Sequence, residues 1–337
     1  MDTGTLSWKP YRIVGGSSPF GLAVPPAKAT PYTLYGPRGV FYNGSTLVVA
    51  DTGNHRVLIW FGLPEEGRGA DVVLGQPNFY SDSPNAGGDP ERGMFMPTGV
   101  WITEEGHLLV ADAWNHRILL WERIPERSFV KPDSVLGQRS LRDTDRNVFF
   151  WCFGVAYHDG KLYVCDTGNR RVLMYEGLPS GERKPDEVYE GFAWPHSLAF
   201  GTNFCAIADA GSGISNVFIF SEKPGSVREV VTSLGDGEGC GARLLNLPYG
   251  VSAYGKILAV ADTSNNRVLV YVDPLSRAEP VGVLGQRDLC SCGENRWEAV
   301  LPDTLCWPYS LHLRENLLLI ADTGNNRVVI WRQQEDN

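Results

Sequence analysis

Ala50-Asp51-Thr52-Gly53-Asn54-His55-Arg56-Val57-Leu58-Ile59-Trp60 is a stretch that the chain repeats, with its aspartate recurring at Asp112, Asp166, Asp262 and Asp322 and a degenerate copy at Asp209. The six aspartates are spaced 61, 54, 43, 53 and 60 residues apart. A second landmark, Pro-x-Gly/Ser-Val/Leu, lies upstream of each at a nearly constant interval. From Pro37, Pro97, Cys152 (in the place of Pro), Pro195, Pro248 and Pro308 to the following aspartate the interval is 14, 15, 14, 14, 14 and 14. That distance accommodates two short strands and a hairpin turn, and apolar segments such as Thr46-Leu47-Val48-Val49-Ala50 suit buried strands. In the first copy Asn43-Gly44 supplies the hairpin signal. A third strand follows the Asp-x-x-Asn turn, as at Arg56 to Trp60, and a fourth appears as Val72-Val73-Leu74-Gly75-Gln76, repeated near Val135 and Val283.

Four antiparallel strands repeated six times specify an all-β, six-bladed β-propeller occupying the whole chain, residues 1–337, as one domain. The last repeat stops after its third strand, Arg327 to Trp331, while Tyr11-Arg12-Ile13-Val14-Gly15-Gly16 is unassigned and resembles the missing fourth. Residues 11–16 are therefore expected to close the last blade and leave the ring without a free edge. Asp-Thr-Gly-Asn-His-Arg at 51–56 and Asp-Ala-Trp-Asn-His-Arg at 112–117 resemble the NHL repeat, and the resemblance extends over nearly the whole chain. It implies the propeller fold but no single function, because NHL propellers include protein-binding modules, RNA-binding modules and lyases. Blade 4 departs most: Ala210 to Asn216 lacks the Asn-x-Arg ending, and an irregular outer face is expected there.

Composition narrows the classes. Apolar residues make up 43% and charged residues 20%, so a large core is available, and no apolar run reaches membrane-spanning length. Residues 1–5 carry neither a basic start nor an apolar stretch, so the expectation is a soluble, cytoplasmic protein with no membrane partner. A net charge of -9 without a Lys/Arg-rich run argues against nucleic acid.

Repeated polar residues read as scaffold rather than as chemistry. A short carboxylate or amide stabilises a tight turn through the backbone, and Arg56, Arg117, Arg171, Arg267 and Arg327 are expected to pair with such acceptors between blades. His55 and His116 stand where other copies have Arg170, Asn266 and Asn326, so imidazole chemistry is not required there. Cys165 occupies a slot filled elsewhere by Ala, Cys205 aligns with Leu47, and Trp60, Trp121 and Trp331 end third strands; all are expected to be packing.

Function is expected where the repeats differ. The Pro-x-Gly starts and the Asp-x-x-Asn turns fall on one face, and first strands surround the central channel. The residues inside the start motifs, Arg38, Thr98, Phe153, His196, Tyr249 and Tyr309, should therefore ring its mouth, with Trp151, Trp194 and Trp307 beside them. The alternative is a ring that merely plugs the mouth. Intervals from each aspartate to the next start, 46, 40, 29, 39 and 46, concentrate variation outside the hairpins, which makes the loops Gln76 to Met96 and Gln286 to Leu305 candidates for specific contacts.

Seven cysteines, an odd count, suggest reduced thiols or metal ligands rather than a disulfide framework. Cys240, Cys290, Cys292 and Cys306, with Cys152 as an outlier, could supply thiolates to a metal ion or an iron-sulfur cluster; adventitious thiols or a local disulfide are the alternatives. The leading expectation is a rigid scaffold offering its variable face to a protein partner or a ligand that partner carries. Behind it stand a thiolate-bound metal or metallocluster carrier and a channel-site lyase or hydrolase. Amidating lyases among similar propellers place channel histidines around zinc, whereas here His196 is well placed and His312 is a possible second. No catalytic residue is assigned.

Overall fold

The structure, a computed structural model, describes residues 6–16, 27–211 and 213–334; residues 1–5 and Ser212, both named above, lie outside them. The described strands form six four-stranded antiparallel sheets. In blade 1 they are Gly39–Tyr42, Thr46–Asp51, Arg56–Phe61 and Val72–Leu74. The first strands of the other blades are Val100–Ile102, Cys152–His158, Pro195–Gly201, Pro248–Tyr254 and Pro308–Arg314. The N-terminal strand, Trp8–Val14, pairs antiparallel with Arg327–Gln333 and is the fourth strand of the last blade. It begins and ends earlier than the expected 11–16, because pairing starts at Trp8 with Gln333 and ends at Val14 with Val328.

Second and third strands are apolar on both faces because each blade is sandwiched between two others. Six apolar clusters fill the spaces, each drawn from adjacent blades, including the space between the last blade and the first, where Val14 and Leu319 meet Val40 and Trp60. Trp60, Trp121 and Trp331 all lie in these clusters, as packing residues. So do Cys165 and Cys205, both fully buried. The Pro-x-Gly start has a steric origin: a Cβ on Gly39 would lie 1.9 Å from the Thr98 carbonyl oxygen, and one on Gly250 2.3 Å from that of Tyr309. First strands converge at the axis, and only glycine lets neighbouring backbones approach that closely.

The buried aspartates anchor the face where the loops gather. Asp262 Oδ1 accepts the Asn246 N–H, and its Oδ2 accepts from Asn265 and from Arg267 Nε at 2.7 Å. The Arg267 guanidinium then donates to the carbonyls of Leu289, Gly241 and Leu244. Arg56, Arg117 and Arg327 follow the same pattern with Asp51, Asp112 and Asp322. The pairing expected between blades is thus corrected: Asp and Arg face each other across the hairpin of one blade, and what the arginine spans is loop backbone. Links between blades come instead from the threonine after the aspartate, as where Thr52 Oγ1 donates to the Pro97 carbonyl at 2.7 Å.

Blade 4 corrects a second expectation. Its second and third strands, Phe204–Gly211 and Ile214–Ser221, form a regular hairpin paired from Phe204 with Ser221 to Gly211 with Ile214. Without the Asn-x-Arg ending the two strands simply run on as far as Gly211 and from Ile214, and Asp209 accepts the N–H groups of Ala193 and Trp194.

Candidate functional site

Around the axis the start-motif residues form a near-continuous aromatic ring. Phe153 stacks on His196 at 5.3 Å between centroids, His196 lies 4.1 Å from Tyr249, Tyr249 lies 4.9 Å from Tyr309, and the Arg38 guanidinium sits 5.1 Å over the Tyr309 ring. Thr98 is buried and donates its hydroxyl to the Phe153 carbonyl, so it ties blades together rather than offering a contact. His196 Nδ1 and Tyr309 Oη are 3.2 Å apart. Burial pushes the His196 imidazole down to about 3, with Arg38 adding to the shift, so the ring is neutral in ordinary buffers.

These residues look inward. A cavity of about 910 Å³ is lined by Arg38, Phe153, His196, Tyr249 and Tyr309 at one end and runs along the first strands to the turns that carry Asn43, Glu104, Glu105, Asp159, Tyr254 and Arg314. Those turns join first strands to second strands, so the cavity reaches the face opposite the loops. Trp151, Trp194 and Trp307 do not line it. The nine residues grouped by sequence thus separate into an inner set, a buried tie at Thr98 and an outer set. His312, the second histidine, donates from Nε2 to the Tyr42 carbonyl and packs 4.1 Å from Phe41, so it is engaged by the wall.

On the loop face the outer tryptophans belong to a longer aromatic path. Phe95, Trp114, Trp151 and Trp194 follow one another at 5.6, 5.7 and 6.1 Å across blades 2, 3 and 4, and Phe150 stacks on Trp151 at 4.3 Å. Trp194 lies 6.1 Å from His196, which joins the path to the ring. Phe95, Trp114 and Phe150 went unnoticed in the sequence, although one signal was present. Trp114 stands in the turn position held by Gly53, Gly168 and Gly324 elsewhere, where added bulk would collide with Tyr35, Phe150 and Cys306. A tryptophan there must turn outward, and 39% of it is exposed.

The long loops prove to be largely scaffold. Gln76 and Gln286 donate to loop and turn carbonyls, and Asn85 with Asn115, like Asn295 with Asn325, exchange reciprocal amide hydrogen bonds. Their tips nonetheless leave Tyr80 and Trp297 exposed.

His55 and His116 serve as acceptors. Their Nδ1 atoms take the N–H groups of Met96 and Trp151, each at 3.1 Å, and Asn266 Oδ1 does the same for Trp307. Burial holds both imidazoles below their ordinary range. A lowered folded value means the unfolded chain takes the proton first, so their stabilisation is lost as pH falls below the usual histidine range near ~6.5. The double substitution His55→Asn, His116→Asn should therefore melt within about 2 °C of the parent at pH 8 and above it at pH 5, as read by calorimetry.

The cysteines separate into a bonded pair and free thiols. Cys240 and Cys292 form a disulfide with Cα atoms 6.1 Å apart, the local disulfide that stood as an alternative to a ligand set, and the other five cysteines are free. Neither sulfur is then a thiolate. Cys290 is exposed, whereas Cys152 and Cys306 are buried, and burial raises both thiols well above their ordinary range. Among the described residues no group of three or more His, Cys, Asp or Glu side chains is placed to hold a metal ion.

The chain is 25% identical, over 86% of its own length, to NHL repeat-containing protein 2 of Gallus gallus. That match and the repeat motif together support an NHL-repeat propeller. The chain spans 45% of that relative's length. No protein-family model matches the chain. Solved structures resemble its fold at low identity. A protein of unknown function from Bacteroides thetaiotaomicron superposes with a TM-score of 0.56 at 12% identity, covering 97% of this chain and 76% of that one. The WD40 propeller domain of Doa1 gives 0.53 at 12%, covering 99% and 98%, and Kuenenia stuttgartiensis hydrazine synthase gives 0.54 at 13%, covering 90% and 97%. No helix among the described residues is long and apolar enough to cross a membrane.

Proposed function

We propose that this NHL-repeat propeller is a rigid protein-binding scaffold that docks its partner on the loop face. The observation that carries the reading is the aromatic path Phe95, Trp114, Phe150, Trp151 and Trp194, with Tyr35, Trp114 and Trp307 exposed on the same face. Tryptophan and tyrosine fixed in place before binding lose little conformational entropy on contact and tend to dominate interface energy. The buried Asp–Arg pairs beneath them hold the loops rigid. Acidic charge fits a protein partner and disfavours nucleic acid.

A capture experiment with the full chain tests the reading. Trp114→Ala combined with Trp151→Ala should weaken retention of the captured protein at least tenfold, roughly what losing an aromatic anchor costs. Phe61→Ala, an exposed residue ending a third strand and so on the other face, should leave it unchanged. Equal retention by all variants, or crosslinks confined to segments such as 64–70 and 180–184, would place the docking face on the opposite side.

A further inference from the structure

At the ring end of the channel lies a cation without a counter-charge. Arg38 is partly buried, and its guanidinium contacts the Tyr309 ring; among the described residues it forms no ion pair and its side chain donates no hydrogen bond. Two polar atoms beside it lack a partner. Tyr249 carries a hydroxyl without a hydrogen-bond partner among the described residues, and His196 Nε2 is buried and unpartnered. The Tyr309 hydroxyl is already engaged, 3.2 Å from His196 Nδ1, which leaves the Tyr249 hydroxyl as the free hydroxyl of the ring.

The acidic residues of the channel lie far from this end. Glu104, Glu105 and Asp159 are exposed in the turns at the other mouth. Along a first strand, Phe153 to Asp159 spans ~20 Å at ~3.3 Å per residue. The wall between is mixed, with Phe41, Trp101, Val155, Val251 and Leu311 interleaved with Ser197, Ser252 and Ser310. An unpaired, partly buried cation near a free tyrosine hydroxyl, at the ring end of a cavity sized for a small molecule, is suited to an anion.

We propose that the channel binds a small organic monocarboxylate, its carboxylate held by Arg38 and Tyr249 and its apolar body laid along the first-strand walls. A planar guanidinium matches a carboxylate in a two-point contact. A single unpaired cation balances a single negative charge, and the neutral His196 offers nothing to a second, which disfavours a phosphate dianion. The site is independent of the loop face: ligand enters from the opposite mouth, and none of the outer tryptophans touches it.

The test uses the full chain and a panel of aryl and alkyl carboxylates, each paired with its primary amide and its phosphate monoester of matched length, titrated by calorimetry and thermal shift. At least one carboxylate should bind roughly tenfold or more tightly than its amide, as expected for a charge-assisted contact away from bulk water. In Arg38→Gln that preference should shrink to about twofold. Tyr249→Phe, which removes only an unpartnered hydroxyl, should melt like the parent without ligand and bind the same carboxylate roughly threefold or more weakly. It keeps the test intact if Arg38→Gln unfolds. The proposal is overturned if no carboxylate in the panel is preferred over its amide, if the preference survives Arg38→Gln, if Tyr249→Phe binds as the parent does, or if the phosphate monoesters bind more tightly than the carboxylates.

Discussion

Deletion of the chain through Gly16 should lower the melting temperature by roughly 10 °C or more and drive aggregation, because the deleted strand is a quarter of the last blade and its only cover. Trp8–Val14 runs along Arg327–Gln333 from Trp8 opposite Gln333 to Val14 opposite Val328. Removing it strips the ladder from the third strand and takes Ile13 and Val14 out of the buried set. Each such side chain contributes roughly 1.5–3 kcal/mol by its burial. The more damaging loss is topological: a closed ring has no edge, and the truncated one presents Val328, Val329 and Ile330, all fully buried in the intact ring, on an open edge. Thermal melts followed by circular dichroism, with light scattering alongside, measure both effects. A truncated chain that stays monomeric and melts with the parent would refute the closure.

Arg267→Met should cost about 3–5 kcal/mol, since it leaves a fully buried Asp262 without its cation. It also frees the carbonyls of Leu289, Gly241 and Leu244, which gather two loops on one guanidinium. Arg171→Met should cost less than about half as much, because that side chain is 30% exposed and water can replace it. The pH dependence carries a definite sign. Burial raises the Asp262 carboxyl and Arg267 opposes that shift. Without the arginine the folded value rises further, so the folded state holds the proton more tightly than the unfolded chain does. The associated stability is complete below the ordinary aspartate range and is lost as pH climbs through the raised value. The variant's deficit in a chemical denaturation series should therefore be larger at pH 8 than at pH 5. A deficit independent of pH would mean that lost loop contacts, not the stranded carboxylate, dominate.

The propeller, its six blades and its closure were legible in the sequence because they follow from local periodicity. A constant 14 or 15 residues from start motif to aspartate measures one hairpin, and a missing fourth strand at one end matched an unassigned one at the other. Five of the six start-motif residues line the axial cavity, and Thr98 does not. Local pattern could not say which way each side chain turns once the blades close. Tertiary packing sends Arg38, Phe153, His196, Tyr249 and Tyr309 into the channel, buries Thr98 against Phe153 and leaves Trp151, Trp194 and Trp307 outside. It also joins Cys240 to Cys292 across a separation of 52 residues, although both had been considered as possible ligands. Spacing along a strand determines hydrogen-bonded neighbours, which are local. Pairing between loops, the direction of a side chain at the axis and the counter-charge left off Arg38 depend on where six separate blades converge, and only the assembled ring decides that.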